Sequence, residues 1–208
     1  MAKQGSHSIT PFSFVLLMSV LCIVLFAISS GKLAFIDIQG VLNYQRQAIT
    51  DGQVWRIVTG NLLHTNMWHL AMNLAGFWVI IFLHELHYKR HTGKLILLFS
   101  SLCLLEGIGL YLFYPQLQAY VGLSGLLHGL FTFGAIMDIR KGLISGYVLL
   151  LGVILKVLYE QYFGASADIS ELISARVATE SHLVGVIAGL ISALVWTPMA
   201  SKFKYSQS

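Results

Sequence analysis

Charge is what this sequence has least of. Of its 208 residues only 11% are Asp, Glu, Lys or Arg, against 56% hydrophobic ones, and the mean hydropathy is positive. A water-soluble domain carries roughly a quarter charged residues, so this composition excludes an ordinary soluble fold and makes the bilayer the natural solvent. Cysteine is scarce too. Cys22 and Cys103 both lie inside apolar runs, which excludes a disulfide framework and leaves two small buried hydrophobes. The net charge of +4 does not indicate nucleic acid, because the basic residues fall between apolar runs and gather into no single patch. Low-complexity segments and clear internal repeats are also missing.

What is present is six apolar stretches of about membrane-spanning length, at about 12–30, 65–86, 95–114, 122–139, 142–162 and 180–199. They predict one all-α, six-span membrane domain over residues 1–208. The first stretch follows Lys3 but is too long for an ordinary signal sequence and lacks a small-x-small cleavage site, so it reads as a span. With six spans, Lys3, Lys89, Arg90, Lys94, Arg140, Lys141, Lys202 and Lys204 share one side, and Lys32, Arg46, Arg56 and Arg176 the other. That bias predicts cytoplasmic N and C termini.

This topology makes a geometric statement. Spans two, four and six all run from outside to inside, so their first residues lie at similar depth below the outer surface. Span two opens with His64, His69 and Asn73, span four with Ser124 and span six with His182. The segment between spans one and two, about 32–63, carries Trp55-Arg56 and suits an amphipathic hairpin in the interface. The 163–178 loop, with Asp168, Glu171 and Arg176, offers no clear chemistry.

A serine hydroxyl becomes a nucleophile when a base takes its proton, and histidine is the commonest base. Most serines in membrane helices merely bond their own backbone, but Ser124 stands between Gly122 and Gly125, with Gly129 four residues further on. Span six carries Gly185 and Gly189 at the same spacing. Small residues four apart let helix backbones approach closely, which predicts contact between spans four and six at the level of Ser124 and His182. These two are the candidate catalytic pair. His69 and Asn73, four apart, share a helix face and are candidate donors to an oxyanion. His64 lies about 140° round the helix from His69 and is expected to cap the helix or tie down the preceding loop. His128, on the face of Ser124, reads as a packing or orienting group for His182. Among outer-side carboxylates only Glu180 is near His182 in sequence, and it is expected to face water, so the pattern predicts a dyad and not a triad.

The rest is read more plainly. Glu106 inside span three is expected to be a structural residue, protonated or hydrogen-bonded, and Lys156 and Glu160 to pair with each other. His84, Glu85, His87 and His91 read as a solvated cytoplasmic loop. A metal site built from His64, His69, His128 and His182 is the rival chemistry, but the five-residue spacing in span two fits zinc poorly and no carboxylate helps. No metal or other cofactor is expected.

Gly122-x-Ser124-Gly125, His64-x4-His69-x3-Asn73, Trp55-Arg56 and Ser181-His182-x2-Gly185-x3-Gly189, in this order and spacing, resemble the six-span rhomboid intramembrane serine proteases. The resemblance implies Ser124 as nucleophile, His182 as general base, and His69, Asn73 and the Ser124 amide as oxyanion hole. It also implies a water-filled cavity open to the outer side, with span five and nearby loops as substrate gate. Many bacterial rhomboids carry tyrosine where this chain has His128. The form Gly122-Leu123-Ser124-Gly125-Leu126-Leu127-His128-Gly129 resembles the rhombosortase subgroup, which implies membrane-anchored substrates with a C-terminal GlyGly-CTERM tail in a bacterial inner membrane. The expected partners are therefore such substrates and the lipid bilayer, with no nucleic acid. An inactive relative that binds and sorts membrane proteins is the non-enzymatic alternative.

Overall fold

The computed structural model describes residues 10–32, 37–89 and 91–202. Lys3, Arg90 and Lys204, three of the cations behind the expected orientation, lie outside them. Six long helices dominate: α1 Pro11–Ala27, α2 Met67–Leu83, α3 Thr92–Phe113, α4 Ser124–Arg140, α5 Ile144–Phe163 and α6 Thr179–Lys202. Local chemistry sets several ends. The Thr10 hydroxyl accepts from the Ser13 amide with Pro11 in the first turn, and the Asn66 side chain caps α2 by accepting from the His69 amide at 2.9 Å. Gly164, at φ +80°, ends α5 in a conformation that favours glycine.

By length and composition four of these helices can cross a membrane, and a fifth span arises if α2 is joined to the segment Arg56–Leu62, from which it is bent by 96°. The expectation of six equal spans is thus met only in part. α4 has 17 residues, about 25 Å at 1.5 Å per residue, short of the roughly 30 Å hydrocarbon core. It compensates by position, since α2, α3, α5 and α6 all pack against it. The core runs through Leu70, Phe77, Leu102, Leu126, Leu130 and Phe133, all buried.

α4 and α6 form the tightest contact. A Cβ added to Gly185 would meet the Gly125 carbonyl, one added to Gly189 the Gly129 carbonyl, and one added to Gly129 would lie 3.0 Å from the Gly185 oxygen. Backbone therefore meets backbone, as the glycine spacing predicts. α5 packs against α4 and α6 but leaves most of its surface uncovered, with only 17% of its residues buried.

The segment before α2 is more built than an interfacial hairpin. Short helices Ile38–Leu42, Arg46–Thr50 and Arg56–Thr59 surround strand β1, Tyr44–Gln45. β1 pairs antiparallel with β2, Ala119–Tyr120, in the register Tyr44 to Tyr120. Arg56 is buried and pins this segment, donating to Gly40 O (2.6 Å), Asn43 Oδ1 (2.7 Å), Asn43 O (2.9 Å) and Gln53 Oε1 (2.8 Å). Trp55 keeps its indole half-exposed and donates to Val41 O at 3.1 Å. The Gly122 amide in turn donates to Gly60 O at 3.1 Å, so this segment also holds the chain entering α4.

At the other end of the bundle the expectation of a solvated histidine loop fails for two residues. His84 and His87 are buried against Asp138 of α4, at 3.0 Å and 2.6 Å. The His84 ring packs against Gly134, where a Cβ would collide with it. One carboxylate with two imidazole partners can sit in an apolar bundle because both its oxygens are bonded.

Candidate active site

Ser124 is the first residue of α4. The chain reaches it through Gly122 at φ +126°, a backbone state that disfavours any side chain. A Cβ there would also lie 2.7 Å from His69 Nε2 and 3.4 Å from Asn73 Nδ2, so glycine is needed both for the turn and for the space. His182 sits in the first turns of α6, and the glycine contacts bring the two helices together: Ser124 Oγ lies 3.0 Å from His182 Nε2.

The other imidazole nitrogen has a partner that the sequence does not announce. His182 Nδ1 is 2.8 Å from Glu160 Oε2 on α5. An ionised carboxylate only accepts, so Nδ1 carries the proton and the Nε2 lone pair faces the serine hydroxyl. The expectation of a dyad without a carboxylate is therefore corrected. Serine, histidine and glutamate are linked in turn, while Glu180 pairs with Arg176 at 3.0 Å. The pairing of Lys156 and Glu160 is present at 2.8 Å, but it belongs to a larger network. Lys156 Nζ also donates to His128 Nε2 at 2.8 Å, and His128 Nδ1 donates to the Ser124 carbonyl at 2.7 Å. The 3.2 Å approach of Nζ to His182 Nδ1 places two donors side by side on one carboxylate and is no bond between them. His128 stacks on His182, ring centroids 4.1 Å apart and 19° from parallel.

His69 and Asn73 face Gly122 from α2. Asn73 Nδ2 is buried with no hydrogen-bond partner among the described residues, an unusual state for an amide. His69 Nδ1 lies 3.1 Å from Thr65 Oγ1 and 3.4 Å from the Thr65 amide. His64 is fully buried and packs edge-on against His69, centroids 5.1 Å apart. Burial, then the nearby His69, pushes its pKa down to about 3. It is a neutral spacer, and the cap expected of it at the start of α2 is made by Asn66 instead. Below the serine, the Tyr120 hydroxyl donates to the Gly122 carbonyl, and burial followed by the charge of Glu106 holds its pKa well above the ordinary value. Glu106 is completely buried beneath Gly125, where it leaves no room for a side chain.

A cavity of about 440 Å³ opens over Ser124, His182, His69 and Asn73. The segment after α5, to which the sequence assigns no role, covers it. Thr65 Oγ1 donates to Ile173 O at 2.6 Å and Asn66 Nδ2 to Leu172 O at 2.8 Å, strapping the short helix Ala167–Leu172 to the start of α2.

Two clusters among the described residues could hold a metal by composition. In the first, His128, Glu160 and His182, the Lys156 ammonium already donates to the imidazole and the carboxylate, so a cation occupies the position an ion would take. In the second, His84, His87 and Asp138, the 2.6 and 3.0 Å separations are hydrogen-bond lengths, below the roughly 3.3 Å between ligand atoms around tetrahedral zinc. Of the four histidines in the metal alternative, His64 and His69 sit together on one side and His128 and His182 on the other.

Glu160 and Lys156 are legible in the sequence only as an i,i+4 pair. The signal that could have found them is their place at the outer end of span five, level with the other polar residues.

A family profile for the Rhomboid domain matches residues 51–198, a stretch that contains every residue of this site. Among curated relatives, the chain is 25% identical over 201 residues to the rhomboid protease GlpG of Haemophilus influenzae, covering 92% of this chain and 91% of that protein. It is 26% identical over 159 residues to GlpG of Yersinia enterocolitica, covering 72% of this chain and 51% of that one. It is 29% identical over 147 residues to GlpG of Photorhabdus laumondii, covering 68% and 47%. The chain belongs to the rhomboid family of intramembrane serine proteases.

Proposed function

We propose that this rhomboid is an endopeptidase that cuts substrate proteins within or beside a transmembrane helix, with Ser124 as nucleophile and His182 as general base. The observation that carries this is the 3.0 Å contact from Ser124 Oγ to a His182 Nε2 whose lone pair is free, at the floor of the 440 Å³ cavity. Ser124 Oγ attacks the scissile carbonyl carbon while its proton passes to Nε2. The resulting imidazolium gives that proton to the leaving amine, and a water from the cavity repeats the sequence to release the acyl group. The developing oxyanion is met by Asn73 Nδ2, by the Ser124 amide in the unpaired first turn of α4, and by His69 Nε2 when Nδ1 accepts the Thr65 amide. The reaction so written needs no cofactor.

In this reading all six long helices cross the membrane, both termini are cytoplasmic, and α4 starts below the outer surface. The short length and central position of α4 suit that placement. The membrane is the inner membrane of a bacterium and the cavity opens outward. A second cavity of about 360 Å³ between α2, α4 and α5, lined by Ile80, Leu127, Phe131, Val148 and Val153, reaches His128 and Lys156. Its apolar walls suit a substrate helix arriving sideways from lipid. The substrates are proteins with a C-terminal GlyGly-CTERM tail, a reading supported by the motif from Gly122 to Gly129. A glycine-rich tail unwinds at small cost, which presents a peptide bond to Ser124.

Co-expression with a GlyGly-tailed reporter, followed by mass spectrometry of the new C-terminus, tests both levels. Cleavage by wild type and none by Ser124→Ala is expected. Equal cleavage by both refutes the serine mechanism, and cleavage of other membrane anchors but not of the tailed reporter refutes the substrate class. A purely binding relative would leave Ser124 unlabelled by a fluorophosphonate.

A further inference from the structure

We propose that Glu160 is a positioning residue for His182, locked in place by Lys156 and His128, and that the catalytic tautomer therefore exists only while α5 is docked. This rests on the protease reading above and adds to it a third member carried by a different helix.

The geometry leaves little choice of hydrogen bonding. The Ser124 carbonyl can only accept, so His128 Nδ1 donates to it and His128 Nε2 is left as a lone pair. Lys156 fills that lone pair and uses a second proton on Glu160 Oε2. The ammonium thus fixes the carboxylate where Nδ1 of His182 meets it at 2.8 Å. The Glu160 side chain is only 12% exposed and the His182 side chain 6%, so water competes weakly for either. Without the carboxylate, a neutral imidazole can place its proton on Nε2, where it faces Ser124 and blocks proton abstraction. As the serine gives up its proton, Glu160 also balances the imidazolium that forms.

Ser124 and His182 are joined by α4 and α6, whose backbones touch. Lys156 and Glu160 lie one turn apart on α5, the least buried of the four helices able to cross a membrane by themselves. A shift of α5 that admits a substrate would therefore disconnect Glu160 and Lys156 together, while the Ser124–His182 distance stays set by the glycine contact. The chain would then hold a nucleophile and a base with no fixed tautomer until α5 returns.

The test uses the full chain in detergent or proteoliposomes, with kcat and KM on the tailed reporter and the rate of fluorophosphonate acylation. Glu160→Ala is expected to lower kcat by roughly 10²- to 10⁴-fold with KM within about threefold, because nothing then accepts from Nδ1, whereas Glu160→Gln, whose amide oxygen can take the place of Oε2 and accept from both Nδ1 and Nζ, should lose less. Glu160→Asp should recover at least tenfold of that loss, and formate should restore activity to Glu160→Ala. Glu180→Gln, which removes a nearby carboxylate bonded to Arg176, should behave as wild type. If Glu160→Ala fails to fold, Glu160→Asp and Lys156→Met decide, with acylation slowed in both while the chain stays monodisperse. A Glu160→Ala enzyme within threefold of wild-type kcat while Ser124→Ala is dead overturns the positioning role alone. Activity in Ser124→Ala overturns the protease reading beneath it.

Discussion

Gly185→Ala places one methyl group where α6 crosses α4. Its Cβ would lie 2.7 Å from the Gly125 carbonyl carbon and 3.2 Å from Gly125 Cα, and closer still to the carbonyl oxygen. Carbon atoms rest at about 3.5–4.0 Å, so α6 must retreat by roughly 0.8 Å or more. Backbone stands opposite, so no side chain can swing aside to absorb this. His182 lies three residues before Gly185 on the same face, and Ser124 directly precedes Gly125. Most of the retreat therefore reaches the reacting pair, stretching the 3.0 Å contact to roughly 3.8 Å, past hydrogen-bond range. A misplacement of about 1 Å costs on the order of 100-fold in rate, and overpacking costs about 1–3 kcal/mol of stability. Fluorophosphonate acylation and thermal unfolding, measured on the same preparation, read the two effects separately. Gly152→Ala is the control: a methyl added there has nothing within 4 Å of it, so rate and stability should hold or rise slightly. Acylation of Gly185→Ala at the wild-type rate would refute the claim that the glycine contact sets the nucleophile–base distance.

Gly122→Ala should cut acylation at least 100-fold and cost about 2 kcal/mol, since it combines a φ of +126° with a methyl 2.7 Å from His69 Nε2; near-wild-type labelling would show the oxyanion side to be misassigned. Arg56→Lys should destabilise by about 2–3 kcal/mol and expose 38–62 to proteolysis first, because an ammonium cannot reach the four acceptors that Arg56 holds between 2.6 and 2.9 Å. His64 makes stability depend on pH. Folded, it stays neutral down to about 3, whereas unfolded it protonates below about 6.5, so acid favours the unfolded chain. Stability is full above about 6.5 and falls between there and about 3, by roughly 3 kcal/mol at pH 4.5. Chemical denaturation of wild type and His64→Phe across this range should show a shallower decline in the variant, and parallel curves would exclude the burial argument.

What could be read from the sequence followed from periodicity and depth. Apolar length located the helices to within a few residues, and the matched glycine spacings foretold the α4–α6 contact. Alternating topology put Ser124, His182, His69 and Asn73 at one level. The residues that escaped are those whose meaning depends on how a helix is rotated or what lies across from it. Glu160 pairs with Lys156 at i,i+4, a complete local explanation that hid their shared long-range role. His84 and His87 lie beside basic residues at a helix end, a composition that ordinarily belongs to water. Asp138, 54 positions from His84, draws them into the bundle. The 163–178 segment has no motif at all, and its function as a roof arises from backbone acceptors that no residue type announces.

A nucleophile buried among apolar helices needs donors, a base and water in a region that supplies none of them. This chain gathers them at helix beginnings, where first-turn amides are free and where α2, α4 and α6 can each give one polar face without interrupting a span. The cost of such a site is rigidity, since a close glycine contact that fixes Ser124 on His182 cannot also open for a substrate helix. Dividing the tasks resolves the conflict. In the proposed mechanism the close pair α4–α6 sets the distance, while the largely exposed α5 supplies the group that sets the proton. Movement on α5 then changes kcat and leaves the nucleophile in place, so activity can vary with access while the fold around Ser124 stays the same.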